Sequence, residues 1–207
     1  MFAALRQTLL DYHHRTVRVP RGDRIVASLA GHLGRVDSLL DVGCGDGVYT
    51  LALARAVGAT TVAGVDVHIR PTAQIDVKEY DGVHLPLPDQ SFDGVCLIDV
   101  LHPCAQPLVV LTEALRVARR VVAIKDHFAF GPVSEKILYL LDMAGNARDQ
   151  IPSPGTYFRP AHWVAMVSDA GGRVAALDWP LAIHTLPWSL VARPSLQFTA
   201  KVVPVRG

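Results

Sequence analysis

The chain is short of cysteine, lysine, aromatic residues and long apolar runs, and each shortage narrows what it can be. Three cysteines, Cys44, Cys96 and Cys104, occur in 207 residues, with no Cys-x-x-Cys pair. That odd set suggests neither a disulfide framework nor a zinc site, and it fits a reduced, cytoplasmic setting. Lysine is scarce, at 4 against 16 arginines, yet the 20 basic and 19 acidic residues balance to a formal charge of +1. No overall field therefore draws nucleic acid or an anionic membrane surface. No basic stripe with interleaved aromatics marks a nucleic-acid face either. No run approaches the ~18–20 apolar residues that span a bilayer. The opening MFAALRQTLLDYHHRT lacks the basic start, apolar centre and small-residue cleavage site of a secretory leader, so neither membrane insertion nor export is expected. What is plentiful is apolar side chain, 50% of the composition in short blocks, which excludes disorder and suits a buried core.

At ~150 residues per domain, the length predicts a single domain, 1–207, in three stretches. Residues 1–35 read as an N-terminal helical cap. Phe2, Leu5, Leu9 and Tyr12 form one helical stripe, and a second helix is expected from about Asp23 through Ile25, Leu29 and Leu33, stopping at Gly34. From 36 to 126 the pattern becomes SLLDV, TTVAGVDV, DGVCLIDV and RVVAIKD, near-continuous apolar runs typical of strands buried on both faces. Helical segments Val48–Val57 and Pro107–Val117 alternate with them, which predicts a right-handed, doubly wound α/β fold. Residues 127–207 add helices near Ser134–Ala144 and from Pro160 to before Gly171, then strands near Arg173–Trp179 and Ser195–Val203. Little chain and no clear helix separate those last strands, so the final one is expected to be antiparallel.

The most informative segment is Leu39-Leu40-Asp41-Val42-Gly43-Cys44-Gly45-Asp46-Gly47-Val48-Tyr49-Thr50. A buried strand ends, three glycines follow at alternate positions, and a helix begins. Such a loop lets backbone approach a ligand closely, and the helix offers free N–H groups to a carboxylate or phosphate. The string is GxGxG, not the dinucleotide GxGxxG. Asp41 would repel a diphosphate but attract an ammonium or sulfonium, so a zwitterionic, cationic ligand fits better than NAD. Asp66 closes the next strand, where a carboxylate can accept ribose hydroxyls. Asp81-Gly82 supplies a third acidic position, and Asp93 reads as a turn or strand-start residue.

Taken in order, LLDVGCGDGVYTLALA, the acid of VAGVDV, DGVHLPLPDQSFDGV and LIDVLHP resemble successive motifs of the class I S-adenosylmethionine-dependent methyltransferases, in their type 11 group. The likeness covers about Ser38 to Lys125. It implies a Rossmann-like, three-layer α/β/α fold with a mostly parallel seven-stranded sheet and an antiparallel last strand. It also implies S-adenosyl-L-methionine as cofactor, with S-adenosyl-L-homocysteine as product. On that resemblance Gly43, Cys44, Gly45 and Gly47 would wrap the methionine moiety, with Asp41 supporting its ammonium. Asp66 would hold the ribose, Asp81 beside Gly82 the adenine amino group, and Asp99 the methionine amine through its carbonyl. Two departures stand out. Only His68–Gln74 separates the second and third strands, leaving a short or missing helix, and Ala118-Arg119-Arg120 replaces the family's Pro-Gly-Gly turn.

Methyl transfer is an in-line displacement that positioning and desolvation can drive, although an oxygen nucleophile gains from a general base. Ligands of such sheets bind at the carboxyl ends of strands. That rule selects His102 and His127 as catalytic candidates, and Lys125, Asp126, Tyr157 and Phe158 as substrate contacts, with His184 from the last crossover. The bland alternatives are a turn cap for His102, a Lys125–Asp126 pair, and loop anchoring by the aromatics. His13, His14 and His32 read as surface residues. No His, Asp and Glu set has metal spacing, so no metal is expected. The expected partner is a small-molecule acceptor, and the protein a monomer or homodimer. Two other readings remain: a non-methylating protein that keeps the cofactor, and an NAD-dependent oxidoreductase.

Overall fold

The computed structural model describes residues 14–146 and 156–206. The helix expected over residues 2–15 lies almost wholly outside them. A π-helical turn, His14–Arg18, leads directly into α1, Val19–Leu33. This helix starts earlier than Asp23 because Pro20, with its fixed φ and missing N–H, sits in the first turn, where neither is a handicap. Gly34 ends it at φ 65°, as foreseen.

The elements then alternate: β1 Ser38–Val42, α2 Val48–Val57, β2 Thr61–Asp66, β3 Val77–Glu79, β4 Phe92–Ile98, α3 Pro107–Val117 and β5 Ala118–His127. The remainder is α4 Pro132–Asn146, α5 Pro160–Asp169, β6 Gly172–Asp178 and β7 Gln197–Pro204. Residues 67–76 contain no helix, so β2 and β3 are joined by irregular chain. Ala118-Arg119-Arg120 is not a turn at all. α3 passes straight into β5, which these three residues begin.

The seven strands form one sheet in the order β3-β2-β1-β4-β5-β7-β6. β1 pairs in parallel with β2 and β4, and β4 with β5, whereas β7 runs antiparallel to both β5 and β6. The strand order therefore reverses at β1/β4, which opens a crevice at the carboxyl ends of those strands. This is the mixed, doubly wound sheet expected, with helices on both faces.

Alternation along the strands divides the core. Leu40, Val42, Val95 and Leu97 face α3 and α5, where Leu111, Leu115, Trp163 and Val167 complete the larger cluster. Leu39, Cys96, Val121 and Ala123 face α1 and α2, meeting Ile25, Leu29, Leu33 and Leu53. Asp93 ties the amino ends of β1 and β4 together, accepting from the Ser38 amide at 3.1 Å and its hydroxyl at 3.0 Å. His32, expected on the surface, is buried. Its Nε2 lies 3.1 Å from the Thr199 hydroxyl and 3.3 Å from Asp178, pinning α1 across β7 and β6. No helix among the described residues is long and apolar enough to cross a membrane.

α1 is thus a layer of the domain and not a detachable cap. Leu29 is fully buried, and Leu29→Ala should cost about 2–5 kcal/mol. Urea unfolding followed by circular dichroism should show one cooperative transition at a lower midpoint. Loss of α1 alone, in a separate early transition, would contradict this packing.

Candidate active site

The first half of the site is the loop after β1. Gly43, Gly45 and Gly47 adopt φ of 73°, 58° and 78°. A Cβ on Gly43 would sit 2.5 Å from Val100 Cγ2, and one on Gly47 2.7 Å from Ile75, so only glycine fits where the loop presses against its neighbours. The loop is fastened by the Gly43 amide to the Val65 carbonyl at 2.8 Å. Asp66 Oδ2 accepts the Gly45 amide at 2.7 Å, while Oδ1 accepts the His68 amide at 3.2 Å. Asp41 is buried beneath the loop. Its Oδ2 accepts from Thr50 at 2.5 Å, and its Oδ1 is buried with no hydrogen-bond partner. Burial pushes the Asp41 carboxyl up to about 6, only partly opposed by Thr50 and the neighbouring Cys96 thiol. A buried carboxylate oxygen without a donor is costly unless a ligand supplies one.

The second half lies at the ends of β4 and β5 and is a closed network of charges. Asp126, fully buried, accepts from the Leu101 amide at 3.1 Å, the His102 amide at 3.3 Å, the His127 amide at 2.8 Å and His102 Nδ1 at 2.7 Å. The other ring nitrogen of His102 lies 3.3 Å from Asp142, which also accepts from the Tyr157 hydroxyl. Tyr157 stacks on the His102 ring, centroids 5.5 Å apart. Burial alone would lower the His102 pKa. The two carboxylates outweigh it and push the imidazole up to about 10. His102 is therefore a cation at neutral pH, which does not suit the general base expected of it.

Asp99 adopts the left-handed φ of 58°, rare for a residue with a side chain. Its carboxylate meets the buried Lys125 ammonium on one oxygen and Arg21 Nη2 at 2.9 Å on the other. Burial would raise the Asp99 carboxyl, but Lys125, His127 and Arg21 hold it well below the usual range. The Lys125 ammonium can only donate, so His127 Nε2, 3.3 Å away, accepts and its Nδ1 carries the proton. That Nδ1 is buried without a partner, 3.5 Å from Asp99 and 3.7 Å from Asp126. Burial and Lys125 lower the His127 pKa and keep the ring neutral. His184, also with a buried, unpartnered Nδ1, is lowered by burial and Arg21 to about 4. Asp99, His102, Asp126 and His127 bring one ligand-type atom each within 4.8 Å of the others. In this arrangement Lys125, Arg21 and the His102 protons balance the carboxylates.

The predicted residues divide accordingly. Asp41, Gly43, Cys44, Gly45, Gly47 and Asp66 meet around one loop, and Asp99, His102, Lys125, Asp126, His127 and Tyr157 meet in one network. The two halves touch where Val100 packs on Gly43 and where Arg21 Nη1 reaches the Tyr49 hydroxyl at 3.4 Å. Lys125 and Asp126 do not pair with each other; they project to opposite faces of β5 and serve Asp99 and His102. Phe158, expected beside the acceptor, is a core residue whose backbone pairs with that of Phe128. Asp81 is exposed and folds back on its own turn, accepting from the Val83 amide at 2.8 Å and the His84 amide at 2.6 Å. Sequence reading missed Arg21 and Asp142. An arginine in a helix and an aspartate in another carry no local signal, and only the packing of α1 and α4 brings them in.

A glycine loop closed by an acid after β2, at the reversal point of this mixed sheet, defines the class I S-adenosylmethionine-dependent methyltransferases. A family model described as a methyltransferase domain matches residues 40–122. The chain is 30% identical over 194 residues to an uncharacterised methyltransferase of Schizosaccharomyces pombe, covering 81% of this chain and 71% of that protein. It therefore belongs to the methyltransferase-domain family. Its fold is shared with a SAM-dependent methyltransferase from Aquifex aeolicus, at a TM-score of 0.61 and 21% identity, covering 87% of this chain and 89% of that one. The magnesium protoporphyrin IX methyltransferase of Synechocystis, solved with bound S-adenosylhomocysteine, aligns at a TM-score of 0.57 and 18% identity, over 90% and 84% of the two chains.

The charge on His102 has a testable sign. Its folded pKa, about 10, lies above the ordinary 6.5, so its stabilisation is complete below the unfolded pKa and is lost as pH rises to the folded one. Urea unfolding from pH 6 to 10 should show wild type losing stability relative to His102→Gln across that window. Parallel curves would mean that His102 is not held as a cation.

Proposed function

We propose that the chain methylates a small-molecule acceptor bound between the glycine loop and the charge network. The observation that carries this reading is the contact of the two halves through Val100 and Tyr49. It brings buried polar side chains beside the loop, with Arg21 of α1 reaching both Asp99 and Tyr49, which supports a compact acceptor. Bound S-adenosylmethionine supplies a sulfonium-activated methyl group and a good leaving group.

The residues fit that cofactor. The unpartnered Asp41 Oδ1 offers the compensating charge for the methionine ammonium, and the Asp99 carbonyl is a further acceptor for it. Backbone of Gly43, Cys44, Gly45 and Gly47 comes close enough to cradle the methionine moiety, and Asp66, already fixed by the Gly45 amide, accepts from the ribose. Asp81 and Gly82 offer the adenine edge a turn whose shape the Asp81 carboxylate maintains.

On the acceptor side the chain orients and desolvates more than it deprotonates. His102 is charged and bonded at both nitrogens, and His127 accepts from Lys125. The displacement then depends on holding the nucleophile in line in a dry site. An acceptor proton needing removal goes to His127 only if Lys125 gives up its hydrogen bond to Nε2.

Calorimetry tests this directly: S-adenosylhomocysteine should bind at micromolar level, and Asp66→Ala should weaken it about tenfold to a hundredfold, from ~1.5–3 kcal/mol of charge-assisted hydrogen bonding. Folded protein that binds neither S-adenosylmethionine nor its product would refute the assignment of the loop.

A further inference from the structure

One cavity takes no part in the chemistry described so far. It measures about 320 Å³ and lies where the chain leaves β5 and enters β7, between Phe130, Val133, Ile137, Arg193 and Leu196. That is the carboxyl edge of the sheet, the edge at which ligands bind, and the volume falls at the small end of the ~300–1,000 Å³ usual for ligand sites. Its floor is the cluster of Ala129, Leu138 and Leu196, with Ile137 and Tyr157 packed against it. One wall is Phe130 stacked on Trp179, centroids 5.9 Å apart at 23°, and Trp179 is fixed by its Nε1 to the Ser195 carbonyl at 2.9 Å.

Part of the polar rim is satisfied internally, and Ser195 adds a second hydroxyl side chain to the lining. The Ser134 hydroxyl accepts the Phe130 amide at 2.7 Å and donates to the Gly131 carbonyl at 2.8 Å. What else the described lining residues offer is apolar surface, the Ser195 side chain and one charge. Among the described lining residues Arg193 is the only charged one, and its guanidinium has no hydrogen bond or ion pair among the described residues. The cavity also adjoins the charge network, because Tyr157 packs on its floor and donates to Asp142 beside His102.

We propose that this cavity holds the apolar part of the methyl acceptor and that Arg193 pairs with a carboxylate on it, so that the acceptor is an acidic amphiphile with a medium-length hydrocarbon portion. The apolar lining excludes a fully polar metabolite such as a sugar, and the lone cation sets the sign of the charge. The inference rests on the methyltransferase reading for the word acceptor, and on the cavity alone for the ligand's chemistry.

The test titrates the full chain with hexanoate, octanoate, decanoate and octylamine, read by tryptophan fluorescence, to which the stacked Trp179 responds, and by calorimetry. Affinity should rise about fourfold per added methylene while the chain stays inside the cavity, and octanoate should bind more tightly than octylamine. Arg193→Gln, a change at an exposed side chain, should abolish the preference for octanoate and keep the chain-length dependence. Ile137→Phe should weaken all four ligands, with S-adenosylhomocysteine binding measured alongside to show that the variant is folded. No saturable binding, no chain-length dependence, or an unchanged preference in Arg193→Gln would overturn the proposal. S-adenosylhomocysteine binding without alkyl binding would overturn this site alone, whereas alkyl binding without it would overturn the methyltransferase reading.

Discussion

The charge network at the ends of β4 and β5 depends on one buried carboxylate. Asp126 has no exposed surface and accepts three backbone amides and one imidazole nitrogen. Four donors hold it ionised where an isolated charge would be prohibitively expensive. Because two of the amides belong to the turn after β4, the same carboxylate fixes that turn, and with it Val100 against the glycine loop. Because the imidazole is His102, it also fixes Asp142 and Tyr157 from the far end of the chain. Removing Asp126 would take that acceptor from three amides and leave the His102 cation with Asp142 alone, a larger disturbance than the loss of any one contact.

Charge in this site is balanced in neighbouring pairs. Lys125 and Asp126 alternate along β5, so one faces α1 and the other faces α5. Each finds its counterpart on that side: Lys125 with Asp99, and Asp126 with His102. The strand delivers both pairs to the same edge, where His127 Nδ1 lies 3.5 Å from Asp99 and 3.7 Å from Asp126. The strained φ of Asp99 lets one carboxylate reach Lys125 and Arg21 together, which joins α1 to the end of β4. Strain of this kind costs of order 1–3 kcal/mol and persists where the surroundings fix it.

The cofactor half was legible in the sequence because its signals are local. Asp41, the three glycines and Asp66 lie within one strand-loop-helix-strand unit, and their placement around one loop follows from where strands end. The runs buried on both faces revealed the parallel strands, and Val48–Val57 and Pro107–Val117 are helices to the residue. The charge network was legible only as a list of names. His102, Lys125, Asp126 and His127 are recognisable as strand-end residues, but their protonation states depend on partners up to some hundred positions away. Arg21 and Asp142 entered through helix packing, and His32 looked exposed because a histidine among small and charged residues says nothing of Thr199 across the sheet. Phe158 failed for a related reason: an aromatic beside a proline-rich segment can line a pocket or plug a core, and backbone pairing with Phe128 settles it.

Asp142 and Tyr157 meet at His102, so the chain between them leaves from and returns to the same point in space. The cost of closing a loop between fixed ends rises slowly, by about 0.6 kcal/mol for each doubling of its length. Positions 142 and 157 are therefore held together at little entropic expense to the domain, provided the tyrosine and the aspartate keep their grip on the imidazole. The imidazole is, in effect, a clasp that closes α4 onto the chain leading into α5, so a single ring ties two helices on one side of the sheet to the end of β4.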